Sequence, residues 1–222
     1  LLKNETGNLP IAKDVKKIAV IGQNAVLTTA AGGIGAGVKT LYEISPLEGI
    51  QARAEKAGVE VVYAPGYKNY VMRMGWGRRG PAGPVDPLVA NSTDEPADPA
   101  LLAEAVALAK DADMVIFFGG TNKSIETEGR DRKNIDLPHG QNDIIKAIYE
   151  VNPNVVTVLI SGGPTDLRFL EPYSPAIVQG WWNGMEGGTA LAEVLFGDIA
   201  PSGKLPFTFP LKLEDSPAYA TG

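Results

Sequence analysis

Five short apolar runs, none of them alternating with polar residues, set the strongest limit on what this chain can fold into. They are "KKIAVIG" (16–22), "VEVVYAP" (59–65), "MVIFFGG" (114–120), "NVVTVLISG" (154–162) and "AIVQGWW" (176–182). A strand with one wet face alternates polar and apolar side chains; one that does not alternate must be covered on both faces. Parallel strands reach that state through crossover helices, and helical patterns stand between the runs. Ser45-Pro46-Leu47-Glu48 has the spacing of a capping box, with Leu47, Ile50 and Ala54 on one face and Gly58 as the stop. Asp98-Pro99 opens a second helix with Leu101, Leu102, Ala105, Val106 and Ala109 inward. Ile144, Ile145, Ile148 and Tyr149 mark a third; Ala190, Leu191, Val194 and Leu195, ended by Gly197, mark a fourth. The expected fold class is α/β: a three-layer sandwich, with a mostly parallel sheet and helices on both faces.

The stretch from Gly66 to Pro99 breaks this rhythm. It is rich in Gly and Pro, has no helical period, and reads as a long loop that fits either a lid or a disordered excursion. With 222 residues the chain suits one domain carrying such an insertion. A net charge of −6 and a pI near 4.9 argue against nucleic acid and acidic membrane surfaces as partners. The lack of cysteine excludes disulfides, thiolate catalysis and zinc–thiolate sites. No apolar run approaches the roughly 18–20 residues that span a bilayer. The chain opens "LLKNETGNLP" and closes "SPAYATG", and both ends read as cuts inside a longer protein. Targeting is therefore not legible, although a periplasmic or extracellular place is preferred over the cytoplasm.

Ligands of open α/β sheets bind beyond the carboxyl ends of the strands. One loop expected there stands out: "SIETEGRDRKNIDLP" (124–138) carries seven charges in fifteen residues, directly after a buried strand. Other chemistries fit less well. In "GGIGAG" (32–37) the glycines fall about ten residues too late for a dinucleotide fingerprint, and their spacing is wrong. Ser161 lacks the G-x-S-x-G elbow, and His139, the single histidine, sits at a helix start where a capping or surface role is expected. A metal site would have to be all carboxylate, with interleaved arginines competing for the oxygens. Carboxylate acid/base work remains, as glycoside hydrolysis requires. An Asp131–Arg132 pair could brace the loop and leave a glutamate facing a cleft. A surface ion network of little energetic value is the competing account of the same residues.

The longer motifs narrow this. "LLKNETGNLPI…KKIAVIGQNA", "GGIGAG…SPLEGI", "ETEGRDRKNIDLPHGQNDII", "LISGGP" and "NGMEGGTALAEVLFGDIAPSGKLPFTFP" resemble the second domain of glycoside hydrolase family 3, best known for β-glucosidases. The resemblance runs from residue 1 to about 216, apart from 66–99. It implies an α/β sandwich that follows a TIM-type barrel. Residues 1–15 are then a linker from that barrel, 16–216 the sandwich, and 217–222 the start of a further C-terminal segment. It also implies cofactor-free, retaining, exo-acting hydrolysis of β-glycosidic bonds in β-linked oligosaccharides or aryl and alkyl β-glucosides. In the family the nucleophile is a barrel aspartate, so this chain alone is expected to be inactive, and the acid/base is a glutamate of the 121–138 loop.

"ETEGRDR" is similar to the family pattern E-x-E-G-x-D-R, which favours Glu128 as the acid/base with Glu126 as runner-up. Asp131 and Arg132 match the D-R pair. Gly32, Gly33 and Gly35 match a glycine loop bordering the site. Glu186 corresponds to a structural glutamate expected to cap the helix that starts at Gly187. Trp181 and Trp182 can stack on a sugar or fill the core, and Trp76, Arg78 and Arg79 are placed to influence aglycone preference. His139 departs from the family's glycine. Asn4, Asn91 and Asn122 head N-glycosylation sequons, meaningful only in a secreted eukaryotic protein. The other readings are a non-catalytic sugar-binding or structural module of the same descent, β-xylosidase specificity, and a flavodoxin-like nucleotide binder.

Overall fold

The structure, a computed structural model, describes residues 1–30, 38–68, 95–126 and 132–221. All five apolar runs form strands: β2 (Lys17–Ile21), β3 (Glu60–Ala64), β4 (Met114–Gly120), β5 (Val155–Ile160) and β6 (Ala176–Gln179). A two-residue strand, β1 (Lys3–Asn4), precedes them. The order across the sheet is β1-β6-β5-β4-β2-β3. Every pairing is parallel except β1 with β6.

Among the described residues, four α-helices complete three layers: α1 (Pro46–Ala57), α2 (Pro99–Lys110), α3 (Gln141–Val151) and α4 (Gly187–Phe196). Ile18, Val20, Ile116, Phe118, Val156 and Val158 point to one face of the sheet and pack with Ile50 of α1 and with Leu191 and Leu195 of α4. Their strand neighbours Ala19, Ile21, Val115 and Phe117 point the other way, against Ala105 and Ala109 of α2 and the three buried isoleucines of α3. Successive residues thus enter different cores, which is why the strands do not alternate in polarity. The α/β three-layer sandwich expected from the sequence is the fold observed.

Local signals act as read. Ser45 Oγ accepts from the N–H of Glu48 at 3.3 Å while the Glu48 carboxylate accepts from the N–H of Ser45 at 2.8 Å, and Gly58 ends α1 at φ 67°. Asp98 caps α2 through the N–H groups of Ala100 and Leu101, and Gly197 closes α4 at φ 80°. Gly49 lies against Gly188 where α1 meets α4. A Cβ on Gly49 would fall 2.1 Å from the Gly188 backbone, so the crossing tolerates hydrogen alone.

Residues 1–15, expected as a linker, are packed onto the domain. Leu9, Ile11 and Val15 are buried in the first core, and the Ile11 N–H donates to Leu195 O at 2.9 Å. Two strand ends fall short of the expected runs. β5 stops at Ile160, where the chain turns towards Glu126, and β6 stops before Trp181, which adopts φ 59°.

Candidate active site

The chain passes from β2 to β3 on one side and then to β4 on the other, so β2 and β4 flank the switch point where doubly wound folds usually hold ligands. Here that crevice is filled. Asn24 is fully buried, and its Nδ2 donates to the carbonyls of Gly119, Thr121 and Ile160 at 3.2, 3.0 and 3.4 Å. Tyr67 Oη donates to Phe118 O at 2.8 Å and accepts from the Asn24 N–H at 3.3 Å. Gly32, Gly33 and Gly35 lie outside the described residues, as do Trp76, Arg78, Arg79, Asn91, Glu128 and Asp131.

The charged loop leaves β4 at the same edge. Gly120 brings the strand end close to β5; at φ 123°, a Cβ there would lie 2.0 Å from Ile160 O. Residues 122–126 then make one helical turn, the Glu126 N–H donating to Asn122 O at 2.9 Å. Asn122 caps that turn from inside, its Oδ1 accepting from the N–H groups of Ser124 (2.7 Å) and Ile125 (3.2 Å). The sequon asparagine at 122 is thereby buried and engaged.

The turn delivers Glu126 to the segment after β5. Its Oε2 accepts from the Gly162 N–H at 2.6 Å, and its Oε1 lies 3.4 Å from Nη1 of Arg132. Arg132 Nη2 in turn donates to Pro164 O at 2.7 Å. The two side chains are only 12% and 17% exposed. Burial draws the Arg132 guanidinium below its ordinary pKa, and the Glu126 charge opposes that shift. Arg132 therefore has Glu126 as its acidic partner among the described residues; the Asp131–Arg132 brace anticipated from sequence lies outside them.

Around this pair the sheet edge is aromatic and basic. Lys123 Nζ stands 5.9 Å from the centre of the Trp182 ring. Burial depresses the Lys123 pKa, against an opposing pull from Glu43. Trp182 also borders Gly162, while Trp181 meets Phe207 and Phe209 edge-on at 5.8 and 6.2 Å. Both tryptophans are partly buried, and Trp182 packs against the first core.

Two expectations require correction. Glu186 occupies the N-cap position of α4 but makes no capping bond; its carboxylate accepts from the hydroxyls of Tyr42 and Thr189 instead. His139 is neither a surface residue nor a cap. It is 4% exposed, stacks on Tyr67 with ring centres 6.2 Å apart, and holds Nδ1 3.4 Å from the Glu95 carboxylate. Burial lowers its pKa, with Glu95 pulling the other way. His139 and Gly140 both take positive φ, so the chain doubles back before α3 and turns the ring inward.

A cavity of about 620 Å³ lies at the opposite edge of the sheet, between Asn8, Asp14, Asp113, Tyr149 and Asn154, away from the carboxylate loop. Of its lining groups, Asp113 accepts from the neighbouring N–H groups of Lys16 and Lys17 at 2.8 Å, and Asn8 donates to Asn154. Among the described residues, no cluster of three or more His, Asp or Glu could hold a metal ion.

Residues 1–222 match the family profile of the glycosyl hydrolase family 3 C-terminal domain. A β-glucosidase of Bacteroides ovatus is 41% identical over 230 residues, taking in 100% of this chain and 28% of its own length. An exo-α-(1→6)-L-arabinopyranosidase of Bifidobacterium longum is 32% identical over 226 residues, 98% of this chain and 26% of its own. The crystal structure of a Bifidobacterium adolescentis family 3 β-glucosidase superposes with a TM-score of 0.79 at 35% identity, over 99% of this chain and 28% of that one. The chain thus spans about a quarter of the length of these relatives.

Proposed function

Because this chain belongs to glycosyl hydrolase family 3, as its C-terminal domain, we propose that it supplies the general acid/base of a retaining, exo-acting β-glycosidase, with Glu128 in that role. One observation carries the reading: the E-x-E-G-x-D-R loop of a whole-chain family match departs from the carboxyl end of a central strand, β4. Ligands of open α/β sheets meet the protein at that edge.

In the proposed reaction a barrel domain contributes an aspartate that attacks the anomeric carbon. Glu128 protonates the departing glycosidic oxygen, then takes a proton from the water that releases the glycosyl-enzyme. Retention requires the two carboxyl groups to stand about 5–5.5 Å apart. A β-glucoside is the proposed substrate, as the names of the Bacteroides and Bifidobacterium adolescentis relatives indicate. The arabinopyranosidase aligns over 98% of this chain at 32% identity, so the same domain also serves an enzyme named for another sugar.

The test is the stereochemical course of hydrolysis by the full-length protein. With an aryl β-glucoside, proton NMR during the first turnovers is expected to show β-glucose ahead of mutarotation. First-formed α-glucose, or no hydrolysis of any β-glycoside, contradicts the proposal.

A further inference from the structure

We propose that the carboxyl edge of the sheet carries an apolar rim onto which the barrel domain of the full-length protein docks, an inference that rests on the reading above of a nucleophile borne by that domain. Two segments build the rim. The first runs along the edge. Its Phe207 and Phe209 lie beside Trp181, just after β6. Its Lys212, Leu213 and Tyr219 share a cavity of about 190 Å³ with Lys133 and Asp166, which belong to the loops after β4 and β5. The second segment is 38–44. There the Tyr42 hydroxyl donates to Glu186, and the Ile44 N–H donates to Met185 O at 2.9 Å. Residues 181–186, leaving the carboxyl end of β6, thus join the two segments.

The rim exposes apolar side chains. Leu41 is 92% exposed, Leu211 64% and Phe207 41%. Leu205, Phe207, Phe209 and Leu211 alternate with Pro206, Thr208 and Pro210. Each proline holds the residue before it extended and removes a backbone donor, which favours an apolar row over a paired strand. Phe207 and Phe209 stack with ring centres 5.6 Å apart. Among the described residues, no main-chain hydrogen bond ties 200–211 to another element. Trp181, which meets this row, holds φ 59°, a conformation unfavourable for a bulky residue. Single exposed apolar side chains are ordinary, whereas a cluster of them marks an interface.

The proposed reaction selects the occupant. The Bacteroides β-glucosidase holds this domain in 28% of its length, so most of that chain lies outside it. Retention brings the barrel carboxylate within about 5–5.5 Å of the acid/base, whose loop leaves β4 at this same edge. A domain seated that closely covers the neighbouring rim. Neither a second copy of the chain nor a segment that follows it is called there by the chemistry.

The test uses the full-length protein. Residues 1–222 contain no cysteine, so Leu41→Cys and Leu211→Cys each place one new thiol on the rim. Val151→Cys is the reference: Val151 is also exposed but ends α3 at the opposite edge of the sheet. Maleimide labelling, followed site by site by mass spectrometry, is expected at least about tenfold slower at 41 and 211 than at 151, since a covered thiol reacts only when the interface opens. Benzoylphenylalanine placed at position 211 and irradiated is expected to crosslink to barrel peptides of the same molecule. Both readouts are independent of turnover and are expected unchanged in Glu128→Gln, so the docking face and the acid/base reading fail separately. Equal labelling at all three positions overturns the proposal. A crosslink that doubles the mass, or one to a segment beyond residue 222, gives the rim to another occupant and overturns it too.

Discussion

Gly49 and Gly188 bring the backbones of α1 and α4 into direct contact, and Gly188 also donates its N–H to Ile44 O at 3.0 Å. A Cβ on Gly188 would fall 2.0 Å from Ser45 O, the carbonyl at the cap of α1. The obstruction is backbone, which cannot swing aside as a side chain can. Gly188→Ala is therefore expected to cost about 3 kcal/mol, the upper part of the range for overpacking. Gly184→Ala, where nothing lies within 4 Å, should stay within about 0.5 kcal/mol of the parent. Urea unfolding of both variants checks the contrast; equal stability would mean that the helices separate freely.

The switch-point crevice gives a second prediction. Asn24→Leu is nearly isosteric, but it takes a buried donor away from the carbonyls of Gly119 and Thr121, while Ile160 O keeps the Thr121 N–H at 3.0 Å. A loss of about 2–4 kcal/mol is expected from stranding these acceptors. Thermal denaturation measures it. A neutral substitution would show that the crevice admits water to these carbonyls.

The buried imidazole predicts a pH dependence. The folded pKa of His139 lies below its ordinary value of 6.5 because burial disfavours the cation, Glu95 opposing only in part. Between those two values the unfolded chain binds a proton that the folded one refuses. Stability should therefore be full above about pH 6.5 and fall on acidification, no more steeply than about 1.4 kcal/mol per pH unit, the limit for one proton. Asp98 and Asp166, whose pKa values are lowered from 3.8, act only in more acidic solution. His139→Gly accepts the positive φ at this position and should flatten the profile between pH 5 and 7. Denaturant midpoints across that range decide it; a parallel slope in the variant would assign the effect to another group.

Much of this was legible because the strongest signals are local. Runs buried on both faces announced the parallel sheet, and Ser45-Glu48, Asp98, Gly58 and Gly197 fixed helix ends through caps whose partners lie within a few residues. What escaped depends on distant partners. β1 is two residues long and exists through backbone pairing with β6, while Leu9, Ile11 and Val15 gave an apolar signal too sparse to claim a core. Nothing in the sequence of Asn24 or Tyr67 says that they meet between β2 and β4. The site was half legible: the loop's place after β4 followed from the strand, but Arg132 was expected to brace through Asp131, and its bond to a turn 32 residues onward has no sequence signature. The glycine pair at 162–163 was the available hint, since side chains approach closely where a Cβ is missing.

The leaving-group dependence of Glu128→Gln in the full-length protein separates an acid/base role for Glu128 from a structural one. General acid catalysis contributes about 10²- to 10⁴-fold, and a leaving group that departs unaided does not need it. The variant should lose at least about 100-fold in kcat/KM with a disaccharide or alkyl glucoside and far less with a dinitrophenyl glucoside. Azide should then raise turnover of the activated substrate by attacking the glycosyl-enzyme without base assistance. Equal slowing of both substrates, with no response to azide, would contradict the assignment of Glu128 as the acid/base.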